Sequence, residues 1–154
     1  MNSSPADIKA LSDIEKYGCH VIHVMEDEAN PRFTYSIGIE QTSANPELIV
    51  TGLKQEIAHW IVNEYNNLVR KGEIFRPDAL YSGFLDNFEV LFKPVLREHY
   101  KEYFGWGRWL YDGDDFRVYQ LIWPSTNGVW PWEADAPNDY TWFIPLLCDC
   151  NPEV

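Results

Sequence analysis

The chain has 154 residues, of which 45% are hydrophobic and 16% aromatic, so it can bury a core and is not a disordered chain. Acidic residues outnumber basic ones by 24 to 12, and the formal net charge of −12 argues against DNA, RNA and anionic membranes as partners. Residues 1–10 lack a signal-peptide core and no apolar run is long enough to span a bilayer, so we expect a cytoplasmic protein.

The first predicted elements are a short helix and three strands. Ser4-Pro5-Ala6-Asp7 is typical of a helix N-terminus, and Gly18 is a suitable end. Strands are predicted at residues 19–25, 32–39 and 47–53 from β-branched and alternating residues. The links between them are short, which favours antiparallel neighbours.

The clearest helix is residues 55–71. Ile57, Ile61, Tyr65 and Leu68 lie on one face, and Gly72 follows the last turn. Further along we predict strands at 81–85, 88–96 and 116–123, and a glycine-weakened helix at 97–111. A Pro-, Trp- and Asp-rich segment then completes the chain as an ordered wrap.

This order predicts one α+β domain over residues 1–154, because the strands are grouped rather than alternating strictly with helices. The sheet is expected to be mostly antiparallel, with a curled or barrel-like form as an alternative. One long amphipathic helix and one or two shorter helices complete the prediction.

Histidine and cysteine pairs do not predict a metal site. His20 and His23 are three apart on a strand and therefore point to opposite faces. Cys148 and Cys150 could bind a soft metal or oxidise, but no second pair lies at a suitable spacing. The odd count of three cysteines predicts no disulfide framework.

Asp112, Asp114 and Asp115 surround Gly113 and could contact a partner, bind a metal or act in acid–base catalysis. An Asp-Gly turn before the next strand explains the same residues. The chain has no nucleophile elbow, glycine-rich phosphate loop or zinc-protease motif, so the sequence favours binding over catalysis. A small-molecule sensor or hydrolase using Asp114 and Asp115 is a further alternative.

The C-terminal third combines aromatic rings with negative charge. Six of the seven tryptophans follow residue 105, and residues 112–154 hold eight acids and one base, Arg117. Aromatic anchors and complementary charge are typical of protein interfaces. We therefore predict an immunity- or antitoxin-like protein that neutralises a basic toxin partner, without a cofactor. The predicted partner-binding residues are Trp130, Trp132, Asp112, Asp114, Asp115, Glu133 and Asp135.

Several separated motifs resemble a bacterial family catalogued as domain of unknown function 4262. The resemblance covers about residues 15–135 and implies no established activity. Its motifs are Tyr17-Gly18-Cys19-His20-Val21-Ile22-His23-Val24, Phe33-Thr34-Tyr35-Ser36-Ile37-Gly38, Asn45-Pro46-Glu47-Leu48-Ile49-Val50, Gly113-Asp114-Asp115-Phe116, Gln120-Leu121-Ile122-Trp123-Pro124 and Pro131-Trp132-Glu133.

A second likeness is to the opening of flavin-binding split-barrel reductases. That resemblance implies that Thr34 and Ser36 would help to hold the phosphate of flavin mononucleotide (FMN). Only Arg32 and Lys54 lie near those positions to offset the negative field of the chain. FMN is therefore the cofactor of the alternative interpretation alone.

Overall fold

The computed structural model describes residues 4–77 and 79–149. Six strands of these residues form one open sheet in the order β1-β2-β3-β6-β5-β4. The strands are β1 (His20–Val24), β2 (Phe33–Ile37), β3 (Glu47–Thr51), β4 (Tyr81–Leu85), β5 (Phe88–Pro94) and β6 (Val118–Ile122).

Neighbouring strands are antiparallel except at the centre, where β3 and β6 run parallel. Glu47 lies opposite Val118 in this parallel pair. The long connection from β3 to β6 permits this pairing, because parallel strands need a crossover rather than a tight turn.

The helices of the described residues lie around this sheet. The first begins with a reciprocal capping box, in which the Asp7 N–H donates to Ser4 Oγ at 3.1 Å, and ends at Gly18 in the left-handed region. The helices are α1 (Pro5–Tyr17), α2 (Ile39–Ser43), α3 (Gln55–Arg70), α4 (Tyr100–Tyr103), α5 (Gly105–Tyr111) and α6 (Asn138–Phe143), with a 3₁₀ turn at Arg97–His99.

The core lies on both faces of the sheet, because successive strand residues point to opposite sides. On one face Leu48 and Phe92 pack with the apolar side of α3, including Ile61. On the other face Ile49 packs with α1, α4 and the residues around Phe116. A smaller cluster on that second face joins Ile122 to α6.

The α+β class, the mostly antiparallel sheet and the long helix α3 are confirmed. The barrel-like alternative is wrong, because β1 and β4 are the two edges of an open sheet. The predicted helix 97–111 is divided at Phe104, whose φ of −117° and ψ of 48° are not helical. None of the described helices is long and apolar enough to cross a membrane.

Candidate functional site

A crevice in the described surface lies beyond the carboxyl ends of the parallel strands β3 and β6. From β3 the chain enters α3, which covers the face containing Leu48. From β6 it continues to α6, which packs on the face containing Ile122. Where adjacent parallel strands lead to opposite faces, a crevice opens at their carboxyl ends and commonly receives a ligand.

This crevice has a volume of about 980 Å³, at the upper end of the range for ligand sites. Its floor is formed by Trp123 and Tyr140, whose ring centroids are 5.3 Å apart at an angle of 70°. The Trp123 indole N–H donates to the carbonyl of Thr51 at 2.9 Å, and the Tyr140 hydroxyl donates to the carbonyl of Trp123 at 2.6 Å. These bonds fix the floor to the ends of both strands.

A close approach of backbone to backbone sets the position of α6 against β3. The Thr51 hydroxyl donates to the carbonyl of Phe143 at 3.0 Å. Gly52 follows with a φ of 78°, and a Cβ at this position would lie 2.2 Å from the Phe143 carbonyl oxygen. Only glycine satisfies both the backbone angle and the contact.

Three carboxylates surround the crevice, each on a different element. Glu56 lies in the first turn of α3, Asp86 in the β4–β5 turn and Asp139 at the start of α6. None of the three forms a hydrogen bond or ion pair with another described residue. The described lining residues include no lysine, arginine or histidine.

Some acidic residues elsewhere are paired with basic residues. Asp13 is paired with Lys9 at 2.7 Å, and Glu40 with Arg117 at 2.6 Å. The guanidinium of Arg117 also holds the pKa of Glu40 below its usual value. Other exposed acids form no side-chain hydrogen bond or ion pair with another described residue either, among them Glu15 and Glu102. What distinguishes the crevice acids is therefore their position around one concave surface.

The remaining polar groups of the crevice follow β6. Ser125 is buried, and its hydroxyl accepts the N–H of Val129 at 3.1 Å, which stabilises the turn there. Thr126 and Asn127 are exposed in the same turn. The polar side chains of the described lining therefore include hydroxyl groups, an amide and carboxylates.

His20 and His23 lie on opposite sides of β1, as the strand period predicts. His20 Nδ1 is 2.7 Å from the carboxylate of Asp13 on α1. His23 Nδ1 is 2.8 Å from Thr34 Oγ1, and its Nε2 is 3.0 Å from His59 Nδ1 on α3. Burial lowers the pKa of His23, and the nearby His59 adds to this effect. Within residues 4–77 and 79–149 no three His, Cys, Asp or Glu side chains are arranged to hold a metal ion.

A buried carboxylate joins β2, α2 and β3. Glu47 is 1% exposed and accepts the N–H groups of Gly38, Ile39 and Glu40 at 3.0, 3.1 and 3.0 Å. The hydroxyl of Ser36 donates to it at 2.8 Å, and that of Tyr111 donates to its other oxygen. Burial raises the pKa of Glu47 to about 7, although the hydrogen bonds to the carboxylate act in the opposite direction and lower it. Because the carboxylate is enclosed, its role is to position α2 and α5.

The structure separates the residues that the sequence predicts as one partner surface. Asp112 ends α5 with a φ of 53°, and Asp114 accepts a hydrogen bond from Arg108 Nε at 2.6 Å. Asp115 is exposed in the same loop, before β6. The predicted Asp-Gly turn therefore forms, and one of its acids is already paired.

The predicted tryptophans follow β6 instead. Trp130 and Trp132 are half-buried and stack on each other at 5.6 Å, packed in the cluster that contains Ile122. Glu133 accepts the N–H of Trp130 at 2.6 Å, and Asp135 is exposed. The two groups of predicted residues thus belong to opposite ends of β6.

Between these groups the C-terminal segment crosses the sheet. The Gln120 side chain donates to the carbonyl of Pro145 at 2.7 Å and accepts the N–H of Leu147 at 3.0 Å. Gln120 lies on the same face as Val118 and Ile122, between the two groups. None of the seven predicted residues lines the crevice.

Thr34 and Ser36, the residues of the flavin interpretation, are both buried in β2. The Thr34 hydroxyl contacts His23, and that of Ser36 donates to Glu47 while accepting the N–H of Leu48 at 3.0 Å. FMN binding remains a prediction that these contacts do not favour. The Cys148–Cys150 hypothesis falls partly outside the described residues, since Cys150 is not among them.

Sequence reasoning missed the crevice acids because each looks like an ordinary surface residue. One signal was available: Glu56 and Trp60 are four apart on the predicted helix 55–71, away from its apolar face. Trp60 is 51% exposed, which is unusual for a tryptophan without a partner. Asp86 and Asp139 could not be grouped with Glu56 without the tertiary structure.

Comparison with known proteins gives a family and no function. No curated protein and no solved structure matches the chain. The family model described as Domain of unknown function (DUF4262) matches residues 13–137. The match includes β1 to β6 and three of the four segments that line the crevice, and it ends before α6. Since it spans more than half of the sequence, the chain belongs to the DUF4262 family.

Proposed function

We propose that the protein is a non-enzymatic binding protein that receives a basic protein partner in the crevice, in the manner of an immunity protein or antitoxin that neutralises a basic toxin. One observation carries the proposal: three unpaired carboxylates surround an aromatic crevice whose described lining contains no lysine, arginine or histidine. A cationic segment of the partner would supply the missing positive charge.

Electrostatic attraction and aromatic contacts would make association with such a partner both fast and specific. The net charge of −12 would attract a basic partner over a distance of about 10 Å at moderate salt. Partly exposed aromatic side chains such as Trp60 bury large apolar areas on binding and commonly dominate interface energetics. Charge would thus guide association, and the aromatic walls would hold the complex.

The test compares two variants with equal changes in net charge. In the crevice variant Glu56→Gln, Asp86→Asn and Asp139→Asn are combined. In the control variant Asp112→Asn, Asp115→Asn and Glu102→Gln are combined, all exposed and none in the crevice lining. Each tagged protein is used to purify partners from its own host, and the captured basic protein is then purified and titrated calorimetrically against all three chains.

We expect the wild type and the control variant to bind the same basic protein, and the crevice variant to bind it at least tenfold more weakly. Raising the salt concentration should weaken the wild-type complex. Equal binding by the crevice variant would contradict the proposal. Weaker binding by the control variant alone would instead support the sequence-predicted surface around Asp112 and Asp115.

A further inference from the structure

We infer that the crevice recognises arginine in preference to lysine, so that the partner presents a segment with several arginine side chains. This inference rests on the proposed function of the crevice and adds the residue type that the crevice selects. It comes from the way in which carboxylates and aromatic rings are paired along the crevice walls.

Each of the three carboxylates has an aromatic crevice residue within four positions of it in the sequence. Glu56 and Trp60 lie one turn apart on α3, and Asp139 and Phe143 lie one turn apart on α6. Side chains at positions i and i+4 of a helix are neighbours on its surface. In the β4–β5 hairpin Asp86 is followed by Phe88, and both line the crevice. Three separate segments therefore each contribute an acid and a nearby aromatic residue to the crevice lining.

A carboxylate beside an aromatic ring matches a guanidinium group better than an ammonium group. The guanidinium is planar, donates two parallel hydrogen bonds to a carboxylate and can stack on a ring at the same time. The lysine ammonium is a compact and strongly hydrated charge, so it gains less from the ring and loses more water on binding. Cation–π contacts in proteins accordingly involve arginine more often.

The pairs are also free to receive a ligand. The Trp60 side chain is half exposed, and the three carboxylates have no hydrogen-bond partner among the described residues. Trp132 provides a contrast, because Lys93 Nζ of the same chain already lies 5.6 Å from its ring centroid. The volume of about 980 Å³ can accommodate several side chains of an extended segment.

The experiment uses two short flexible peptides of equal charge, one with three arginines and one with three lysines, each separated by glycine and serine. Both are titrated calorimetrically into the wild-type protein at low ionic strength. We expect the arginine peptide to bind about tenfold more tightly than the lysine peptide.

Two variants identify the source of this preference. Trp60→Leu removes the aromatic partner of Glu56 but keeps its carboxylate, and Phe88→Leu does the same beside Asp86. Trp109→Leu is the matched control, because Trp109 is 42% exposed and lies on α5 outside the crevice lining. Thermal unfolding of each variant shows that it is folded before titration.

We expect both crevice variants to reduce the preference for arginine severalfold and the control to retain it in full. Equal affinity of the wild type for both peptides would overturn the inference and leave the proposed binding of a basic partner intact. The same holds if Trp60→Leu and Phe88→Leu keep the wild-type preference. Failure of both peptides to bind would overturn the inference and also count against the proposed function.

Discussion

Among single residues, Glu47 has the most unusual environment. The sequence places it at the start of a strand, where an acidic side chain would ordinarily point to solvent. In the structure its carboxylate accepts three backbone N–H groups at the start of α2 and two hydroxyl groups. These donors would otherwise be buried without partners, so the carboxylate replaces water as their acceptor.

Glu47→Gln tests how this burial affects stability. The pKa of Glu47 rises from 4.5 to about 7 on folding, because burial disfavours the charged form. The native state then binds the proton more tightly, so the stability that this group contributes is complete below about pH 4.5 and is lost as the pH rises to about 7. The glutamine side chain of the variant has no carboxyl group to titrate. Wild type should therefore lose up to about 3 kcal/mol relative to Glu47→Gln between pH 4.5 and 7.5.

Urea unfolding of both proteins at several pH values between 4.5 and 7.5 measures this difference. Glu15→Gln is the control, because Glu15 is exposed on α1 and should show the same pH profile as the wild type. A difference between wild type and Glu47→Gln that stays constant, or changes in the opposite direction, would show that the five hydrogen bonds dominate over burial.

At the scale of the elements, local pattern and tertiary contact share the control of the fold. The apolar pattern of helix α3, with its 3.6-residue period, predicts the helix without knowledge of tertiary contacts. Helices α2 and α6 have five and six residues, too few for a periodic pattern to be recognised. Contacts with Glu47 stabilise α2, and contacts of Phe143 with Thr51 hold α6, so neither helix could be predicted from its own residues.

Gly52→Ala tests the docking of α6 on the end of β3. The added Cβ would lie 2.2 Å from the Phe143 carbonyl oxygen, so α6 must move. Gly72→Ala is the matched control, since Gly72 also has a positive φ of 103° but has no atom near the position of a Cβ. We expect Gly52→Ala to lower the free energy of unfolding by about 2–4 kcal/mol more than Gly72→Ala does.

Urea unfolding curves of the two variants provide the comparison. Both substitutions carry the cost of placing an L-residue at positive φ, about 1–2 kcal/mol. The additional loss of stability in Gly52→Ala relative to Gly72→Ala therefore measures the close contact alone. Equal losses for the two variants would show that α6 is not held against β3 in the way that the structure indicates.

At the scale of the whole molecule, the distribution of charge matters more than its sum. The acids that stabilise the fold are paired, as Glu40 is with Arg117, whereas the three acids of the crevice are not. Like charges without partners contribute nothing favourable to folding. The fold should therefore tolerate their removal.

The combined variant Glu56→Gln, Asp86→Asn and Asp139→Asn should keep the stability of the wild type within about 1 kcal/mol, or exceed it. Glu40→Gln is the comparison, because it removes the charge of the ion pair with Arg117 and one of the two oxygens that accept hydrogen bonds from Arg117, and it should be less stable. Thermal unfolding measures both. A loss for the combined variant as large as that for Glu40→Gln would mean that the crevice acids serve the fold.

The sequence by itself determined the α+β class, the long helix α3 and most strand positions, because hydrophobic periodicity is local and is read directly from neighbouring residues. It also determined that His20 and His23 face opposite ways, since strand geometry alone requires it. Composition predicted an acidic, aromatic binding surface at residues near Trp130 and Asp114, which stays a prediction; in the structure one group precedes β6 and the other follows it. The tertiary structure alone brought Glu56, Asp86 and Asp139 to one crevice, because they come from three elements whose meeting depends on the parallel pairing of β3 and β6.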